Sequence, residues 1–126
     1  MHIQTVINLA SERVLIESML DEMANLTPDD TGLPYVIWMG EVGGQHGPRI
    51  KVSNVRGKMQ QSNCFVMSVS HEPIVLTSLS CKLRQAEVDD IADWIRLNYD
   101  VLMKMWKAYE TGTGSLIALQ TELVKL

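Results

Sequence analysis

Four cations, Arg49, Lys51, Arg56 and Lys58, stand within one ten-residue stretch, inside a segment from Val42 to His71 that holds no acid. That segment carries +4, while the rest of the 126-residue chain, with seven bases against fifteen acids, carries −8. Charge polarised in this way bears on association more than on fold. Guanidinium and ammonium groups meet carboxylates or phosphates, so the chemistry implied is docking on an acidic protein surface or on nucleic acid. His46 adjoins the basic stretch in sequence, and Trp38 is placed to lie beside it from a neighbouring strand. The acidic remainder repels DNA outside this patch, which favours a protein partner and leaves nucleic acid as the alternative.

Other chemistries find less support. Nucleophilic catalysis needs a Ser or Cys beside a His held by a third polar group. Cys64, Cys81, His46, His71 and Glu72 supply the types, but no nucleophile sits in a recognisable elbow, and Cys64 falls in an apolar strand where a thiol packs. A small hydrolase or transferase built on His46, His71 or Cys64 is a third reading. His2, His46 and His71 lack HxxxH, HxE or paired-Cys spacing, so no metal site is expected. Glu87, Asp89, Asp90 and Asp93 cluster at a helix start, where dipole compensation accounts for them. The glycine-rich run from Gly40 to Gly47 lacks GxxxxGK[ST] and leads into a strand, so it offers no helix amides to a phosphate. No cofactor is expected.

The elements that position these residues follow from periodicity. Leu9, Ile16, Met19, Leu20 and Met23 recur at helical steps, predicting a helix over residues 8–25, stopped by the turn chemistry of Thr27-Pro-Asp-Asp-Thr-Gly32. Residues 33–39, aromatic and β-branched with Pro34 near the start, read as a strand. Residues 49–55 alternate, with Ile50 and Val52 on one face and Arg49, Lys51 and Ser53 on the other, so the basic side chains are expected on a solvent face. Residues 63–70 repeat the alternation through Phe65, Met67 and Val69, and residues 74–80 offer a fourth strand. Short connections over residues 33–80 favour an antiparallel meander.

Residues 85–110 predict a long amphipathic helix. Val88, Ile91, Ile95, Tyr99, Leu102, Trp106 and Tyr109 form one stripe, with Trp94, Leu97, Val101, Met105 and Ala108 beside it. Asn98 is the position at which a second helix would be capped if the rod breaks. The apolar face is wider than a small sheet needs. Either sheet and flanking helices share it, or Trp94, Leu97, Val101 and Met105 form a homodimer interface. Residues 115–126 read as a short terminal helix. The fold class is therefore α+β in a single domain, with three or four antiparallel strands and helices packed on one face.

Two cysteines without CxxC spacing give no disulfide framework, the start lacks a signal-peptide pattern, and no apolar run reaches the ~20 residues of a membrane helix. A cytoplasmic protein without a membrane partner is expected.

With Pro48-Arg-Ile-Lys-Val52, Phe65-Val-Met-Ser-Val-Ser70 and Ile91-Ala-Asp-Trp-Ile-Arg-Leu-Asn98 followed by Leu102 and Trp106, the chain resembles small uncharacterised bacterial and bacteriophage proteins in which a strand meander precedes a helix ending in a Leu-x-x-x-Trp segment. The resemblance covers residues 33–106. It implies carriage on a phage, prophage or mobile element, and it transfers no activity and no catalytic residue; the basic strand face makes a non-enzymatic regulatory accessory factor that meets a host protein the leading expectation.

Overall fold

Alternating apolar residues build a sheet only when one face is buried, and here Ile37, Ile50, Val52, Phe65 and Met67 supply that face, each fully buried. The structure, a computed structural model, describes residues 25–39, 47–58, 60, 62–112 and 116–126. Its sheet has four antiparallel strands in the order β1 (Asn25–Leu26), β2 (Tyr35–Trp38), β3 (Arg49–Arg56) and β4 (Cys64–Ser68). Among the described residues, three helices of more than one turn follow or flank it: α2 (Gln85–Leu97), α3 (Tyr99–Thr111) and α4 (Leu116–Gln120), while α1 (Pro28–Thr31) is a single turn between β1 and β2. The molecule is an α+β fold.

Two edges of the sheet differ from the sequence expectation. Up to residue 24, the helix predicted over residues 8–25 lies outside the described residues; Asn25 belongs to β1, paired with Trp38, so an edge strand begins where that helix was to end. A two-residue strand is too short to show a period. At the other edge, residues 74–80 do not form a strand. Val75 makes a single bridge to Met67, and the remaining bonds come from Ser68 N–H to Ile74 O (2.9 Å) and Leu76 N–H to Val66 O (2.8 Å). Val66 N–H donates to Thr77 Oγ1 at 2.8 Å, so a side chain takes the place of a ladder carbonyl and the chain turns into a 3₁₀ turn at Ser78–Ser80. The segment still covers the open edge of β4.

The long helix is two helices. Asn98 ends α2 and begins α3, with its own N–H donating to Trp94 O (3.1 Å) and its carbonyl accepting from Leu102 N–H (2.9 Å). Its buried amide does more than cap. Asn98 Nδ2 donates to Val124 O (2.9 Å), and Val124 N–H donates to Asn98 Oδ1 (2.7 Å), so one side chain imitates a strand neighbour and fixes the last residues of the chain. Leu126 N–H then donates to Thr31 O (3.0 Å), beside Gly32, whose positive φ and lack of a Cβ admit the Leu126 backbone.

The break at Asn98 lets both halves lie on the sheet. Val88, Ile91, Ile95, Leu102 and Trp106 join the core, and so do Trp94 and Met105. Trp94 and Met105 are fully buried within the chain and are not available to a partner, which corrects the reading of Trp94, Leu97, Val101 and Met105 as one interface. Val101 is half-buried against the core; only Leu97, 53% exposed, faces outward. Among the described residues the Tyr35 hydroxyl and Nε1 of Trp38 and Trp94 find no hydrogen-bond partner. The area these rings bury outweighs a penalty of about 1–3 kcal/mol for each such group.

Candidate docking surface

Strand β3 carries most of the residues singled out by charge. Its register sets Lys51 opposite Trp38 on one side and Val66 on the other, Arg49 opposite Ser68, and Ser53 opposite Cys64. Directly opposed residues point to the same face, so Trp38, Arg49, Lys51, Ser53, Cys64 and Val66 share the face turned away from the core of Ile50 and Val52. Lys51 Nζ lies 4.7 Å from the centroid of the Trp38 ring, and Arg49 Cζ lies 5.5 Å from that of Trp106. Both are cation–π distances. Arg49 Nη1 also donates to Gly47 O at 3.0 Å. Both cations are half-buried, and each is held over a tryptophan.

Arg56 is elsewhere. It opposes Tyr35, and Ile37 opposes Val52, so three residues of β3 (53–55) span the space of Val36 alone and a bulge interrupts the ladder. Tyr35 points into the core, hence Arg56 projects on the side of the helices, where it lines a cavity of about 190 Å³ with Arg84, Glu87 and Asp90 at the start of α2. Arg84 Nε is paired with Glu87 Oε1 at 3.0 Å. Lys58 follows Gly57 (φ +73°) and is exposed. The expected ribbon of four cations on one face is therefore two pairs. The spacing alone requires it, because Arg56 is an odd number of residues from Lys51 and alternation sends them to opposite sides. His46 lies outside the described residues, as do residues 40–45 of the glycine-rich run.

The outer face is also less solvated than alternation implied. Val36 and Trp38 are only 7% and 6% exposed, and Ser53 is fully buried. The Ser53 hydroxyl is shared between Val55 O and Lys58 O and accepts from Val55 N–H, which satisfies the bulge and aims the turn that follows. Sequence reasoning missed Trp106 as a partner of Arg49, since two residues 57 positions apart leave no local signal.

The groups considered for other chemistry lie on separate elements. Cys64 is half-buried in β4, Cys81 half-buried between the 3₁₀ turn and α2, and the His71 ring stacks on Tyr99 with centroids 3.9 Å apart. Among the described residues no three His, Cys, Asp or Glu side chains are grouped to hold a metal, and no helix is long and apolar enough to cross a membrane. Comparison with protein-family models, with curated proteins and with solved structures found no match.

Proposed function

We propose that the protein is a non-enzymatic binding factor that docks on an acidic protein surface through the Arg49 and Lys51 end of β3. The observation that carries this reading is the seating of both cations on tryptophan rings. A lysine in solution loses rotamer entropy when it meets a carboxylate, whereas one already laid on an indole has lost much of it, so less opposes binding. The Arg49 guanidinium is held over Trp106 and by its bond to Gly47 O, which fixes its direction before a partner arrives. Lys104 and Lys107 are exposed on α3 near Trp106, with Glu110 beside them. A regulatory role on a host protein and a cytoplasmic setting belong to the same proposal; the first is supported by the basic strand face and the second by two cysteines without CxxC spacing, while the resemblance of residues 33–106 supports carriage on a phage or mobile element.

The division of the ribbon weighs against nucleic acid as the partner. Extended phosphate tracking needs many cations on one surface, and β3 presents two on the outer face of the sheet. The test is affinity capture from the source cell, comparing the native chain with the Arg49→Glu/Lys51→Glu double variant after both are shown to fold. Capture of a protein by the native chain only, unaffected by nuclease and lost as salt is raised, is the expected result. Equal capture by both chains, or capture abolished by nuclease, overturns the reading.

A further inference from the structure

Two buried side chains of β2 do not belong to the core. Among the described residues Val36 and Trp38 are the only buried apolar side chains outside the hydrophobic core cluster, and both lie on the outer face of the sheet. Half-buried Arg49 and Lys51 share that face with Cys64, and each of the three engages a further group besides the contacts given above. Apolar surface and partly buried cations together call for a cover that carries both apolar and acidic side chains. Chain connectivity names it. Asn25 pairs with Trp38, so residue 24 enters the sheet beside the indole. Residues 8–24, within the helix that the sequence predicts, hold Ile16, Leu20 and Met23 on one stripe, and Glu12, Glu17, Asp21 and Glu22 against the single base Arg13. Glu17 and Asp21 border one edge of that stripe, one turn after Arg13, and four residues of helix set them about 6 Å apart along the axis. Arg49 and Lys51, two residues apart in a strand, have nearly the same spacing, about 6.6 Å. The glycine-rich residues 40–46 offer one apolar side chain, Val42, and one acid, Glu41.

We infer that residues 8–24 cover the outer face of the sheet, with the apolar stripe on Val36 and Trp38 and with Glu17 and Asp21 meeting Arg49 and Lys51. The chain's own acids then hold the surface that an acidic partner must take, and the partner binds by displacing them. A tethered segment acts at an effective concentration on the order of millimolar, so a diffuse acidic surface does not displace it and a closely matched one does. The competition rests on the docking function proposed above; the cover itself does not.

Zero-length cross-linking of the native chain with a water-soluble carbodiimide, followed by peptide mapping of the monomeric species, tests the assignment without any variant. An amide joining Lys51 to Glu17 or Asp21 is expected, while Lys58, exposed beyond the bulge, is expected to join neither. A Lys51 that is joined to neither acid, equal joining of Lys58, or a Lys51 amide found only in a dimeric species overturns the proposal. Glu17→Gln/Asp21→Asn, once shown to keep the native circular dichroism, is expected to retain severalfold more of the acidic partner in affinity capture than the native chain does. Equal capture by the two chains overturns the competition. Failure of both chains to capture a protein overturns the docking function instead, and the cross-link, which needs no partner, still decides the cover.

Discussion

The two ends of strand β3 carry the same kinds of side chain and treat them oppositely. At its start Arg49 and Lys51 are half-buried, each over an indole; at its end Arg56 and Lys58 are exposed. Neither charge nor strand propensity separates the pairs. What does is the neighbour that the fold supplies: Trp38 across the ladder from Lys51 and Trp106 from a distant helix at one end, a bulge and a glycine turn at the other. A basic residue in a strand therefore acquires a fixed position from an aromatic partner, and the cations at the Trp-lined end are preorganised while those beyond the bulge are not.

Removing the indole is the harshest way to break this contrast. Trp38→Ala deletes a side chain that is 6% exposed and is expected to lower stability by about 3–5 kcal/mol, seen as a large fall in the urea midpoint. Trp38→Phe retains an aromatic face for Lys51 and is expected to lose clearly less. If both variants cost the same, an aromatic ring at this position stabilises nothing, neither by packing nor under Lys51.

The bulge is the next point of attack. Ser53→Ala removes the hydroxyl that bonds Val55 O, Lys58 O and Val55 N–H in a fully buried setting, and is expected to cost about 1–3 kcal/mol. Hydrogen exchange is expected to rise at the Val55 amide and in the turn to Lys58, with the Arg49 to Lys51 amides unchanged. A uniform rise along β3 would show that the two ends are not independent.

Much of this arrangement can be read from the sequence where the signal is local. The period of 3.6 across residues 85–109 identifies the helical residues that reach the core, Val88, Ile91, Ile95, Leu102 and Trp106, and the period of two identifies Ile50, Val52, Phe65 and Met67. Asn98 was legible as a candidate break, but its role in holding Val124 was not, because that bond joins residues 26 positions apart. The same applies to Arg49 over Trp106. The division of the four cations was available from parity and was obscured by treating charge density as a surface property. The failure of residues 74–80 to form a strand was not legible: a single hydroxyl, that of Thr77, replaces a backbone acceptor and ends the ladder.

Lys51→Met then tests the cation itself, since methionine keeps an unbranched apolar stem over Trp38 and loses the ammonium with every contact it makes. The expected loss is about 0.5–2 kcal/mol, the range for a lysine on an indole at partial burial. It is expected to persist in molar salt, which screens exposed pairs far more than half-buried ones.

The smallest effect is the control for all of these. Arg56→Met removes a guanidinium of the same strand that has solvent around it and a core-facing tyrosine opposite, so the urea midpoint is expected to stay within measurement error of the native value at low and high salt. Its side chain lies on the helix side of the sheet, away from the proposed docking surface, so capture of the acidic partner is expected to be unchanged as well. Lys51→Met and Arg56→Met alter the net charge equally, by one unit. A larger effect at Lys51 is expected from its fixed, half-buried position, whereas an equal loss of partner binding would return the interaction to diffuse charge and remove the distinction between the two ends of β3.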